Sequence, residues 1–254
     1  MTGVQTCALP ISTIDRAQVK RAAQNSIPLS VKTFTLPHET EEYLAQMLEI
    51  FLSELGHAEI KDPMVYCLRE LAVNAKKANT KRVYFVEKSL DINDPKDYES
   101  GMKHFKEDTL ENIQHYLQRQ KDMGLYVKVT FHSTGKELVI TVRNNVEITR
   151  KEQIRVYDRI ARSRAFKSME EAFATVLDSS EGAGLGIVIL ALMLKKIGLD
   201  EEAFSIDATG GETIATITLP VNNIHMEKVS ILTQAIVREV DQLPQFPENI
   251  VQLQ

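Results

Sequence analysis

The most informative stretch of this 254-residue chain is ELAVNAKKAN, residues 70–79. Its spacing predicts a helix on which Glu70, Asn74 and Lys77 share one face, because residues three and four positions apart are neighbours on a helix surface. A carboxylate, an amide oxygen and an ammonium on one face suit a hydrated Mg²⁺ ion that carries phosphate oxygens, since Mg²⁺ takes oxygen ligands and Lys pairs with phosphate. By itself, the same pattern also fits an ordinary amphipathic helix.

A second motif, GAGLGI, occupies residues 182–187 and leads into an apolar helix. Closely spaced glycines at a helix start leave backbone N–H groups open towards an anion. No Gly-Lys-Ser/Thr follows, so the motif is not a P-loop. The segment before it is predicted as helix and loop, whereas a dinucleotide-binding fold needs a strand there. Glycines also allow close helix packing, so this motif indicates a phosphate site only when it is considered together with the first motif.

Together, Glu-x-x-x-Asn-Ala-x-Lys and the later Gly-x-Gly-Leu-Gly-Ile resemble the N-box and G2-box of the GHKL (histidine kinase-like) ATPase superfamily. The chain looks nearest to the branch of anti-sigma-factor serine kinases and histidine kinases. The resemblance covers roughly residues 31–219. It implies an α/β sandwich that binds ATP between a helical layer and a lid, with the lid at about residues 163–181.

The resemblance also implies roles for individual residues. Asn74 would be the Mg²⁺ ligand, Glu70 would orient or activate the attacking water or hydroxyl, and Lys77 would contact phosphate. The phosphate-facing hinge of the lid and the start of the following helix would be formed by Gly182, Gly184, Leu185 and Gly186.

The chain departs from the family pattern at VRNNVEI, residues 142–148. Asn144 or Asn145 stands where the family has the aspartate that reads adenine, and the two glycines of Asp-x-Gly-x-Gly are missing. An amide oxygen accepts a hydrogen bond from the adenine amine without the negative charge that strengthens it. Two hypotheses follow. The domain binds ATP and Mg²⁺, and if active is an ATP-dependent phosphotransferase (protein kinase) or ATPase; alternatively, it is a degenerate, non-catalytic scaffold that acts through protein–protein interaction.

The remaining pattern predicts an α+β fold with helices on one face of a mixed, largely antiparallel sheet. Alternating or β-rich segments predict strands at residues 31–36, 82–88, 126–131, 137–142, 203–208 and 213–219. Apolar periodicity predicts helices at residues 37–56, 62–79, 149–164, 169–177 and 182–198, and a charged, mostly solvated helical insertion at residues 91–124.

Both ends of the chain differ in character from the part between them. Residues 1–12, MTGVQTCALPIS, resemble the translation of a sequencing adapter, so we expect the ATP-binding domain to span residues 13–220. Residues 221–254 predict a linker and an amphipathic helix that leads to LPQFP. This pattern resembles the truncated start of an HDOD domain, a helical output module of bacterial signalling proteins; the alternative is a plain C-terminal helix.

Composition limits the functional classes. The net charge is −5 and there is no basic block, which argues against a nucleic-acid partner. Two cysteines cannot form a disulfide framework, and the apolar run at residues 182–194 is too short for a membrane span. We therefore expect a cytoplasmic protein. The resemblance to GHKL and HDOD domains implies a bacterial signalling protein whose partners are ATP and a protein or attached output domain. The sequence leaves open whether the domain forms a homodimer.

Overall fold

The computed structural model describes residues 14–166, 171 and 185–221 as an α+β fold, as the sequence predicts. The strands are β1 (Leu29–Thr33), β2 (Val127–Ser133), β3 (Glu137–Asn144), β4 (Phe204–Thr209) and β5 (Glu212–Pro220). They form one sheet in the order β1-β2-β3-β5-β4. Every neighbouring pair in this described sheet is antiparallel, which agrees with the largely antiparallel sheet that was expected.

The described helices are α1 (Arg16–Gln24), α2 (His38–Glu54), α3 (Lys61–Glu87), α4 (Pro95–Glu111), α5 (Ile113–Asp122), α6 (Arg150–Ser163) and α7 (Leu185–Lys196). The first of them was not predicted. The Asp15 side chain caps α1 by accepting a hydrogen bond from the backbone N–H of Gln18, at 3.0 Å. The buried residues of α1 are Val19, Ala22 and Ala23. Their side chains are short, so the apolar pattern of this segment in the sequence is weak.

One face of the sheet is covered by helices. Every second side chain of β2, β3 and β5 is buried, which is the pattern of a strand with one face in the core. The rings of Phe51 in α2 and Phe131 in β2 stack with their centroids 5.7 Å apart. The apolar face of α7 is buried in the same core. The sheet therefore positions α2, α3 and α7 side by side.

The strand predicted at residues 82–88 is wrong, because α3 continues as one helix to Glu87. Val83, Tyr84 and Phe85 favour strands intrinsically, but all three are buried in a second apolar cluster against the insertion. Burial of these large side chains outweighs their local preference. Helix α3 is consequently 27 residues long and extends well past the ELAVNAKKAN segment.

The insertion is helical and most of its residues are exposed, as predicted, but one side of it is packed against α3. Helices α4 and α5 pack on the second half of α3, where the rings of Tyr84 and Phe105 meet edge to face at 5.4 Å. A Cβ atom added to Gly101 of α4 would lie 2.7 Å from Cζ of Phe85, so the two helices approach closely. The insertion thus builds its own small core.

Several other expectations concern residues outside the described part of the chain. These are the adapter-like start, most of the lid, the helix at residues 169–177, Gly182, Gly184 and the HDOD-like segment beyond residue 221. Among the described residues, no helix combines the length and the apolar character that crossing a bilayer requires.

Candidate functional site

Glu70 and Asn74 are joined on α3 as the sequence spacing predicts. The amide Nδ2 of Asn74 donates a hydrogen bond to Oε1 of Glu70, at 2.8 Å. This bond fixes the orientation of the amide, because its nitrogen must face the carboxylate. Oδ1 of Asn74 accepts no hydrogen bond from the residues that the structure describes. The half-buried Asn74 side chain therefore offers one oxygen that is available to a ligand.

Gly186 brings the second motif to the same place. A Cβ atom built on Gly186 would overlap the carboxylate of Glu70, since Oε1, Cδ and Oε2 all lie too close to it. Only glycine fits here, and the reason is contact with α3 rather than backbone conformation. The structure thus places the first turn of α7 against the carboxylate of α3. Lys77 lies exposed one turn further along α3.

The surroundings of Glu70 are poorly solvated. Cys67 is completely buried, and burial raises the pKa of its thiol, with the negative charge of Glu70 adding to the rise. The same two causes, in the same order, raise the pKa of the Tyr66 hydroxyl. The complete burial of Cys67 and the raised pKa of its thiol keep this side chain protonated.

The side chain of Asn144 is buried and makes hydrogen bonds inside the protein. Asn144 is 2% exposed, and its Nδ2 donates to Oδ1 of Asn79 at 3.2 Å and to the backbone carbonyl of Val146 at 3.4 Å. Asn79 is fully buried on α3 and donates its own Nδ2 to the carbonyl of Tyr126, at 3.1 Å. The side chain of Asn144 therefore ties the end of β3 to α3.

The side chain of Asn145 also makes hydrogen bonds to the backbone of the protein. Its Oδ1 accepts a hydrogen bond from the backbone N–H of Tyr126 at 2.7 Å, and its Nδ2 donates to the carbonyl of Gly124 at 3.0 Å. Both functional groups of the amide thus hold the connection between α5 and β2. Asn79 is the last residue of the ELAVNAKKAN segment, and the sequence assigned it no function. The structure shows that its side chain is hydrogen-bonded to Asn144 and to the carbonyl of Tyr126.

If Asn144 takes the place of the adenine-reading aspartate, the two positions where the resemblance implies glycine carry apolar side chains. Val146 packs against the second apolar cluster, and Ile148 packs against the main core. Both residues follow β3 directly and lead to α6. This segment is therefore built from hydrogen-bonded amides and packed apolar side chains.

The side-chain oxygen of Asn74 suits a hydrated Mg²⁺ ion better than a metal ion whose ligands all come from the protein. In the described part of the chain, no group of three or more His, Cys, Asp or Glu side chains is arranged to hold a metal ion. Mg²⁺ in phosphate sites usually keeps several waters and takes only one or two protein ligands besides the phosphates. Oδ1 of Asn74, which accepts no hydrogen bond from the described residues, lies beside the Glu70 carboxylate and meets that modest requirement.

Comparison with known proteins finds an uncharacterized protein of Treponema pallidum (strain Nichols) that is 44% identical to this chain over 241 residues. The match covers 95% of the chain and 47% of the relative, so the chain spans about half the length of the relative. No protein-family model matches the chain. No solved structure matches it either.

Proposed function

We propose that the chain is a signalling domain that binds ATP with Mg²⁺ at the junction of α3 and α7 and thereby controls a protein partner or an attached output domain. The observation that carries the proposal is the contact between the Glu70 carboxylate and Gly186, with Asn74 oriented by the same carboxylate. Two motifs far apart in sequence meet there. The matched Treponema protein is about twice as long as the matched region, which leaves room for an output domain.

The charges at the junction explain why a cation would be needed. A phosphate at the start of α7 is favoured by the positive end of the helix dipole, but the adjacent Glu70 carboxylate repels it. A bound Mg²⁺ ion would supply the positive charge that offsets the charge of the phosphate oxygens. Oδ1 of Asn74 would be its protein ligand, and the ammonium of Lys77 would add positive charge one turn away.

If the domain turns ATP over, Glu70 is the residue placed to act on the attacking group. Its carboxylate would accept a hydrogen bond from a water or a protein hydroxyl and hold it in line with the terminal phosphate. Asn74 anchors one oxygen of that carboxylate, which leaves Oε2 for the nucleophile. The reaction would then be hydrolysis or transfer to a protein hydroxyl.

A second candidate function is a scaffold that acts through protein–protein interaction. The burial of Asn144 favours it, because an amide bonded to Asn79 and Val146 is not presented to a base. The packing of Val146 and Ile148 favours it too, since neither position has the freedom of glycine. On this hypothesis the domain keeps the fold and its partner surfaces and has no nucleotide dependence.

Calorimetry separates the two candidates. Mg²⁺–ATP is titrated into the wild type, into Asn74→Ala, and into Asn93→Ala as a control on an exposed residue that follows α3. We expect the Asn74 variant to bind about tenfold more weakly or worse, and the control to bind like the wild type. Omitting Mg²⁺ should weaken binding to the wild type as well. Absence of binding to the wild type at millimolar nucleotide would leave the scaffold as the function.

Turnover is tested separately with ATP labelled in its terminal phosphate. An active domain should release or transfer the label, and Glu70→Gln should retain binding while losing most of that activity. If the wild type binds ATP without either reaction, the domain is a nucleotide sensor.

A further inference from the structure

Three positively charged side chains lie against one tyrosine away from the α3–α7 junction. Tyr98 of α4 contacts Lys81 of α3 and Lys151 and Arg155 of α6, and we call this set the Tyr98 cluster. The ring centroid is 5.7 Å from Nζ of Lys81, 5.3 Å from Nζ of Lys151 and 5.3 Å from Cζ of Arg155. Nη1 of Arg155 also donates a hydrogen bond to the Tyr98 hydroxyl, at 3.1 Å.

A single carboxylate, that of Glu152, is paired within this group, and its oxygens are already engaged. Lys81 donates to Oε1, while the backbone N–H and the hydroxyl of Thr149 each donate to Oε2 at 2.9 Å. Arg82 lies 3.6 Å from the same Oε2. A carboxylate has roughly four acceptor sites, so Glu152 has little capacity left for further cations.

Among the residues that the structure describes, Lys151 and Arg155 therefore have no carboxylate partner. They lie four residues apart on α6, where like charges repel one another, and both approach the Tyr98 ring. In the described part of the chain, no Asp or Glu lies within ion-pair distance of either side chain. Contact with the ring stabilises each cation only modestly, so the cluster keeps an excess of positive charge.

We propose that the Tyr98 cluster binds a phosphate group of a small anionic molecule. A phosphate carries more than one negative charge and several acceptor oxygens, which match several convergent donors better than a single carboxylate does. The Arg155 guanidinium would pair with two phosphate oxygens, and the Lys151 ammonium would supply a further hydrogen bond. The Tyr98 hydroxyl holds the guanidinium in place.

The cluster is distinct from the proposed Mg²⁺–ATP site. Lys81 follows Asn74 by two turns of α3, which is about 10 Å along the helix axis. Residues of the insertion and of α6 complete the cluster, and neither element contributes to the Glu70–Gly186 contact. The inference therefore does not depend on nucleotide binding at Asn74.

The test is the binding of pyrophosphate in the absence of Mg²⁺, measured by calorimetry. The wild type is compared with Lys151→Gln/Arg155→Gln and with Arg150→Gln, which removes one positive charge from an exposed position on the same helix. We expect the double variant to bind about tenfold more weakly or worse, and the control to stay within about twofold of the wild type. If the double variant does not fold, the single variant Lys151→Gln takes its place, because this side chain is exposed.

Two results would overturn the inference: no pyrophosphate binding by the wild type at millimolar concentration, or an equal loss in Arg150→Gln. Asn74→Ala provides the separation from the proposed function, since it should leave pyrophosphate affinity unchanged. If Asn74→Ala loses pyrophosphate binding and the double variant does not, the anion binds at the α3–α7 junction. That result would contradict the proposal. Inorganic phosphate and metal-free ATP, titrated in parallel, distinguish a free anion from the phosphates of a nucleotide.

Discussion

The carboxylate of Glu70 lies directly against the backbone of Gly186, and this contact joins α3 to the start of α7. It leaves no room for a β-carbon on α7, although Gly186 has an ordinary helical conformation. The same carboxylate is bonded to Asn74. A change at any one of these three residues should therefore affect the other two.

Gly186→Ala should destabilise the protein even though alanine is the better helix former. Helix propensity favours alanine by about 1 kcal/mol, but the added methyl group displaces the Glu70 carboxylate and typically costs 1–3 kcal/mol, so we expect a small net loss of about 1 kcal/mol. Urea unfolding measures the difference in the free energy of unfolding.

A double-mutant cycle identifies the cause of that loss. In a Glu70→Ala background the clash is absent, so Gly186→Ala should become neutral or stabilising there. Equal effects of Gly186→Ala in both backgrounds would show that position 186 and the Glu70 side chain are not coupled.

Asn144→Asp, which introduces the acidic residue that the GHKL resemblance implies for this segment, should harm the protein rather than improve nucleotide binding. The substitution replaces an amide donor by an oxygen that faces Oδ1 of Asn79 and the Val146 carbonyl in a buried site. We expect a loss of about 2 kcal/mol or more in the free energy of unfolding, because acceptors would then face one another without a donor. Asn93→Asp on the surface is the control, and stronger Mg²⁺–ATP binding by a stable Asn144→Asp variant would contradict this account.

Acid should weaken the fold partly through Glu152. Burial raises the pKa of this carboxyl group, but the Lys81 ammonium and the hydrogen bonds from Lys81 and Thr149 lower it more, so the pKa lies below its ordinary value of 4.5. A group with a lowered pKa contributes its full stabilisation above 4.5, and the contribution disappears as the pH falls through the folded-state value.

Glu152→Gln isolates that charge, because glutamine preserves the reciprocal hydrogen bonds with Thr149 at the start of α6. The variant should be less stable than the wild type near neutral pH, and the difference should shrink below pH 4.5. Unfolding measured across this range checks the expectation, with the exposed Glu111→Gln as control. A difference that does not change with pH would mean that the Lys81–Glu152 pair contributes no charge-dependent stability.

Cys67 should resist alkylation in the folded protein. Its thiol is completely buried and burial raises its pKa, so the reactive thiolate is both scarce and inaccessible. In a Cys7→Ser background, iodoacetamide should react about a hundredfold or more slowly than with the chain in urea. Equal rates with and without urea would show that the α3 core opens readily.

Local patterns predicted most of the fold because they report local causes. Alternation identified β2 and β3. The structure turns between β4 and β5 at Gly210 and Gly211, which both have positive φ. The segment at residues 82–88 shows the limit of this approach. Its β-favouring residues form a helix because α4 and α5 supply a partner surface that no local window contains.

The sequence by itself determined which chemical groups share the face of α3, since helical spacing alone puts Glu70, Asn74 and Lys77 together. Tertiary structure decided what those groups meet. It brought Gly186 to Glu70, buried Asn144 against Asn79, and assembled Lys81, Lys151 and Tyr98 from three helices. The physical reason is that periodicity fixes the direction of a side chain on its own element, whereas its neighbours depend on how the whole core packs.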